Sequence, residues 1–114
     1  MIKIFGLKTC NACRDVEKWI KEHGLEYEFF DLRYDKISSN LIQFWIGQVG
    51  WELLLNRRSI TWRKFSKQET QDIGSDLAMK LMLANPTVIK RPVVEYKGQV
   101  YVGLKTEQMV AIID

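Results

Sequence analysis

Three stretches of apolar patterning follow one another along the chain. In the first, Lys3-Ile4-Phe5 reads as a short strand, and Cys13, Val16, Trp19 and Ile20 then recur at helical spacing between Ala12 and His23. Asp15, Lys18, Lys21 and Glu22 fall on the polar side of that helix, and Gly24 supplies a C-terminal stop. Glu26 to Leu32 alternates imperfectly around Tyr27, Phe29 and Phe30, which predicts a strand buried on both sides rather than a free edge. Strand, helix and strand make a βαβ unit whose strands should run parallel.

The second stretch, Ser38 to Asn85, has a helical period interrupted by polar breaks. Leu41, Phe44, Trp45 and Val49 predict one amphipathic face, and Trp51, Leu54 and Leu55 a second, short one. Ser66-x-x-Glu69 has the form of a capping box. A helix starting at Ser75 or Asp76 would carry Leu77, Leu81 and Ala84 and stop at Asn85-Pro86. Trp62-Arg63-Lys64 mixes ring and charge, and reads as surface packing with solvated cations rather than a nucleic acid contact.

In the third stretch, Val93–Tyr96 and Gln99–Val102 flank Lys97-Gly98, a hairpin signal. Thr106 then caps a closing helix through Met109, Ile112 and Ile113. The order β, α, β, helices, β, β, α predicts an α/β protein with a four-stranded mixed sheet of thioredoxin type. All 114 residues form one domain in this reading, with a helical insertion at about 38–85 between the βαβ and ββα halves.

Composition narrows the setting. A hydrophobic content of 46% suits one core, no apolar run approaches about 18 residues, and the chain opens without a charged-then-apolar leader. A cytoplasmic monomer with no membrane partner is the expectation. The net charge of +3, spread among both signs, makes no case for direct nucleic acid binding. With only two cysteines there is no disulfide framework, so the thiols should be working or regulatory groups in a reducing compartment.

Those two are Cys10 and Cys13, spaced C-x-x-C where a strand hands over to a helix. Unpaired N–H groups and the positive end of the helix dipole favour a thiolate there, which makes Cys10 the candidate nucleophile. A zinc site needs about four ligands, and the one histidine, His23, lies about 15 Å further along the helix, so no metal is expected. Cys13 is either the thiol that resolves a mixed disulfide or a small buried residue on the helix face. Moving a thiol from about 8.5 to about 6.5 takes roughly 2.7 kcal/mol, and a helix terminus supplies about 2 at most. A cation must therefore contribute, and Lys8, Arg14 and Arg91 are the candidates. Spacing alone favours an ordinary trans bond for Arg91-Pro92 at the entry to the third strand.

Gly6-Leu7-Lys8-Thr9-Cys10, the tract Gly50-Trp51-Glu52-Leu53-Leu54-Leu55-Asn56-Arg57-Arg58, Thr61-Trp62-Arg63-Lys64 and Ile89-Lys90-Arg91-Pro92 together resemble the ArsC-like family. That family contains glutaredoxin-coupled arsenate reductase, the Spx regulators and the YffB-type proteins, and Gly50 to Lys64 looks closest to the YffB branch. The resemblance implies a thioredoxin-like fold with a helical insertion and a cis bond before Pro92. It also implies Cys10 as catalytic cysteine, Arg91 as the anion-binding arginine beside it, and Arg58 as an arginine shared by the Spx and YffB branches. Glutathione is the implied co-substrate, with no bound cofactor, and a glutaredoxin or thioredoxin system is the alternative partner. Asn56 and Leu104-Lys105 stand where arsenate reductase has further arginines, and a lysine cannot reproduce their bidentate hold on a tetrahedral anion. Cys13 departs the other way, because Spx carries C-x-x-C while many other members do not. An Spx-type regulator that binds RNA polymerase is therefore the second reading, although Spx proteins run longer at the C-terminus. Arsenate reduction is the third. The leading expectation is a glutathione-dependent thiol reductase in which Cys10 attacks, Cys13 resolves, and Arg91, Pro92, Arg58 and Lys8 serve the anionic substrate.

Overall fold

A computed structural model describes residues 1–113. Its elements are β1 (Ile2–Gly6), α1 (Asn11–Glu22), β2 (Tyr27–Asp31), α2 (Ser39–Val49), α3 (Trp51–Leu54), α4 (Ile60–Arg63), α5 (Lys67–Thr70), α6 (Ser75–Ala84), a 3₁₀ turn over Pro86–Val88, β3 (Val93–Tyr96), β4 (Gln99–Val102) and α7 (Thr106–Ile113). Among the described residues no helix is long and apolar enough to cross a membrane. The chain divides into two compact units, one of Met1–Asp35 with the residues from Arg91 onward, the other of Lys36–Lys90.

The first unit is built on a four-stranded sheet in the order β2-β1-β3-β4. β1 pairs parallel to β2 and antiparallel to β3, and β3 pairs antiparallel to β4, so the sheet is mixed as predicted. The expectation of a fully enclosed β2 fails, because that strand lies at the sheet edge with Phe29 and Phe30 only half-buried. Its run of aromatics imitates a central strand because each side chain covers a flank of the sheet. Phe30, for instance, stacks on Phe5 at 4.8 Å. One face of the sheet is covered by α1 and α7, where Val16, Ile20 and Met109 close over Ile2, Ile4 and Val94. This is the amphipathic solution expected of a helix with one apolar stripe.

Local signals end these elements where the residues dictate. Gly24, at φ 67°, closes α1, with its N–H and that of Leu25 donating to Lys21 and Ile20 carbonyls. Lys97 and Gly98 both take positive φ, 50° and 76°, as a two-residue hairpin turn requires. Thr106 is the first helical residue of α7 rather than its cap. Lys105 stands before it, and the Gln108 side-chain oxygen reaches back to accept from the Lys105 N–H at 2.8 Å.

The second unit is helical. Ser38 caps α2 and Ser59 caps α4, while Ser66 and Glu69 form the predicted capping box on α5. Its buried residues include Ile42, Trp45, Leu54, Ala78, Met82 and Val88. Two faces are rotated from expectation: α2 buries Ile42 with Trp45 while Phe44 is exposed, and α6 buries Ala78 and Met82 in place of Leu77, Leu81 and Ala84. α6 also starts from Gly74, with no side-chain cap. An antiparallel bridge of Leu55 with Ile89 ties the unit's two ends of chain together, flanked by hydrogen bonds from Asn56 N–H to Val88 O and from Lys90 N–H to Leu54 O.

Candidate functional site

The central strand β1 delivers the chain to the site. After Gly6, residues 7–9 turn so that the Cys10 N–H donates to the Leu7 carbonyl at 3.0 Å, and Cys10 then serves as the residue before α1. Its φ of −86° and ψ of 122° are extended, and its carbonyl accepts the first helical hydrogen bond, from Arg14 N–H. A serine or threonine in that place would turn its side chain to the helix N–H groups as a cap. The Cys10 sulfur, half-buried at the helix start, forms no close cap of that kind but faces the N–H groups of Ala12 and Cys13.

Burial by itself would raise the Cys10 pKa. The N–H and thiol of Cys13, the Arg91 guanidinium and the N–H of Ala12 outweigh it, and the thiol titrates below its ordinary value. The opposite holds one turn along. Cys13 is fully buried, and burial, its own hydrogen bond to Cys10 and the charge developing on that sulfur push it up to about 12, against a weaker opposing pull from the Leu7 N–H and Arg91. Two thiols three residues apart are thus pushed in opposite directions, Cys10 toward thiolate and Cys13 toward thiol. This is the pattern that divides roles in an active site. Both are free thiols in this structure.

Arg91, whose charge acts on both thiols, is joined to Pro92 by a cis peptide bond, in agreement with the family resemblance and against the spacing alone. Pro92 is buried, and its carbonyl accepts from the Gly103 N–H at 2.9 Å. A cleft of about 340 Å³ opens beside Ala12, between the start of α1 and the β4–α7 connection, lined by Asp15, Leu104, Lys105 and Thr106.

Two further predicted site residues, Lys8 and Arg58, have neighbours of their own. Lys8 places its ammonium over the Phe29 ring, 4.1 Å from the centroid, and 3.5 Å from Glu17 Oε2. The same Glu17 oxygen accepts from the Tyr27 hydroxyl at 2.8 Å, so Lys8 joins a bracket spanning the site loop, α1 and β2. Arg58 belongs to the helical unit, where its N–H donates to the Asn56 side-chain oxygen at 3.0 Å and its side chain is exposed. Gly6, which opens the family motif, has a role that no local pattern announces. A β-carbon there would overlap the Cys13 sulfur, so glycine is what lets the buried thiol lie against β1.

The lowered Cys10 value sets a pH dependence. Alkylation of Cys10 by iodoacetamide should rise with pH through a midpoint below that of an ordinary thiol, because the thiolate is the nucleophile. In Arg91→Gln the midpoint should move up and the rate at pH 7 should fall severalfold. An unchanged midpoint would remove Arg91 from the set of groups that stabilise the thiolate.

A sequence model of the ArsC family matches residues 5–112. The chain is 32% identical over 108 residues to an uncharacterised protein of Haemophilus influenzae, covering 95% of each chain. It is 25% identical over 118 residues to the global transcriptional regulator Spx 2 of Lactococcus lactis, across 99% of this chain and 86% of that one. A solved structure of a YffB protein superposes with a TM-score of 0.94 at 32% identity, covering the whole of both chains.

Proposed function

This chain belongs to the ArsC family, and from that premise we propose that it is a thiol–disulfide reductase that draws its electrons from glutathione. The observation that carries the proposal is the split environment of the two cysteines, with Cys10 held toward thiolate and Cys13 held as thiol.

In the proposed cycle the Cys10 thiolate attacks one sulfur of a disulfide. The Cys10–substrate disulfide forms, and the other sulfur departs as a thiolate that takes up a proton. Cys13 then loses its proton to solvent or to the departing group and attacks the Cys10 sulfur. A Cys10–Cys13 disulfide forms and the second thiol is released, so two electrons pass from the dithiol to the substrate. Two glutathione molecules return the pair to dithiol and leave as oxidised glutathione. Arg91 offers a guanidinium to a substrate carboxylate, and the cleft beside Ala12 offers room for the peptide part of the substrate.

Magnitudes order the two steps. Pushed up to about 12, Cys13 is almost wholly thiol at neutral pH. Once Cys10 is in a mixed disulfide its negative charge and its acceptor role vanish, which removes two of the influences that raise Cys13, but burial remains. Resolution should therefore be slower than attack. In Cys13→Ser treated with oxidised glutathione, mass spectrometry should find one persistent adduct on Cys10, whereas the unmodified chain should pass to an intramolecular disulfide. An adduct that persists equally in both proteins would leave Cys13 without a resolving role.

The C-x-x-C pair and the Lactococcus relative favour a second reading, a redox-regulated binding protein whose partner is RNA polymerase. Retention of RNA polymerase by the immobilised chain in only one redox state is its test. Arsenate reduction has less support, because Asn56 and Lys105 lack guanidinium forks and the Asn56 oxygen is already engaged by the Arg58 N–H.

A further inference from the structure

We propose that the segment from Arg57 to Lys67, with the rings beside it, is a docking surface for an acidic, partly apolar segment of another protein. Between Leu53 and Gln68 the chain has no Asp or Glu, yet it carries Arg57, Arg58, Arg63, Lys64 and Lys67. All five are exposed, and among the described residues none is paired with a carboxylate. A solvated face usually mixes both signs, so that like charges are relieved by neighbours. Here the cations are left to a partner of opposite charge.

The surface is also ordered in advance. The Arg57 guanidinium stands over both indoles, 5.9 Å from the Trp51 ring centre and 5.6 Å from that of Trp62, and Phe65 packs edge-on against Trp62 at 5.9 Å. Ser59, itself buried, accepts from the Trp62 N–H at 3.0 Å and donates to the Asn56 carbonyl at 2.8 Å. Thr61 and Thr87 share a hydrogen bond of 2.6 Å between their hydroxyls. A cation fixed between rings loses little freedom on binding, which favours affinity.

Apolar groups select the class of partner. Ile60 is 72% exposed at the start of α4 and Leu53 is 47% exposed on α3, beside the Arg57 and Trp62 cluster in sequence. Arginine and tryptophan around an aliphatic anchor is the composition of a protein–protein hot spot. A nucleic acid is less well served, because Arg57 already covers part of each indole that bases would stack on, and Ile60 offers nothing to phosphates.

The test uses the full chain and two fluorescent probes at low salt, an acidic peptide of alternating Glu and Leu and a single-stranded oligothymidylate. Anisotropy should show binding of the peptide in preference to the oligonucleotide. The pair Arg57→Gln with Arg63→Gln should weaken it by about tenfold, and Ile60→Asn by about fivefold, with thermal melts showing that both proteins remain folded. Lys18→Gln with Lys21→Gln on α1, which removes the same net charge elsewhere, should leave it unchanged. Tighter binding of the oligonucleotide, no binding of the peptide, no loss in Ile60→Asn, or an equal loss in the α1 variant would each overturn the proposal.

Discussion

Cys10→Ser should lose thiol–disulfide exchange by about a thousandfold or more, while melting no lower than the unmodified chain. The loss follows from removing the atom that attacks, on the scale seen when covalent nucleophiles are deleted. The retained stability follows from where Cys10 sits. It precedes the first residue of α1 with extended backbone angles, and its sulfur is a weaker acceptor for the first-turn N–H groups of Ala12 and Cys13 than a serine oxygen would be. A better cap is worth about 0.5 to 1 kcal/mol, so the variant should gain slightly in thermal stability. The measurement pairs a turnover assay against a mixed glutathione disulfide with a melting curve. Retained turnover would end the proposed function, and a melting point well below that of the unmodified chain would deny the capping account. The cysteine therefore occupies a position better suited, for stability alone, to another residue.

Gly6→Ala is expected to have the largest effect on stability among small substitutions in the first unit. The added β-carbon would overlap the Cys13 sulfur, and Gly6 lies in the central strand with its carbonyl accepting from Leu32 N–H at 2.8 Å. Neither backbone nor sulfur can move far in a packed interior, and overpacking of this kind costs about 1 to 3 kcal/mol. A fall of roughly 5–15 °C in melting temperature follows. Alkylation of Cys10 should slow as well, because a displaced Cys13 no longer donates to it. The double variant Gly6→Ala with Cys13→Ala removes the overlapping sulfur and should recover much of the stability without recovering resolution. If the two substitutions were merely additive, the contact between Gly6 and Cys13 would not be the cause.

Elements with one clear stripe or one strong local signal were legible in the sequence. Cys13, Val16 and Ile20 have a single spacing that faces a sheet, and all three are buried. Lys97-Gly98 and the Ser66–Glu69 box act over a few residues of backbone, so nothing distant could change them. The errors fall where several faces were apolar. α2 carries Leu41, Ile42, Phe44, Trp45, Ile46 and Val49, which leaves little polar side to orient it, and its contacts with α3 and α6 decide that Ile42 faces inward. β2 differs from its expected place for a related reason, since half-buried aromatics and a central strand look alike in one dimension.

Within the candidate site, the sequence by itself determined the position of Cys10, at the junction of a strand with a helix, because that follows from local periodicity. It also placed Cys13 on the buried stripe of the same helix. Only the tertiary structure decided what those positions mean chemically. Arg91 acts on the thiols from 81 positions later in the chain because β3 pairs with β1, while Lys8, close in sequence, contacts Glu17 and Phe29. Gly6 and Cys13 meet across the strand–helix contact, which buries one thiol and leaves the other half-exposed. Charge, burial and hydrogen bonding act through space, so the opposite shifts of the two thiols depend on packing that no local pattern contains.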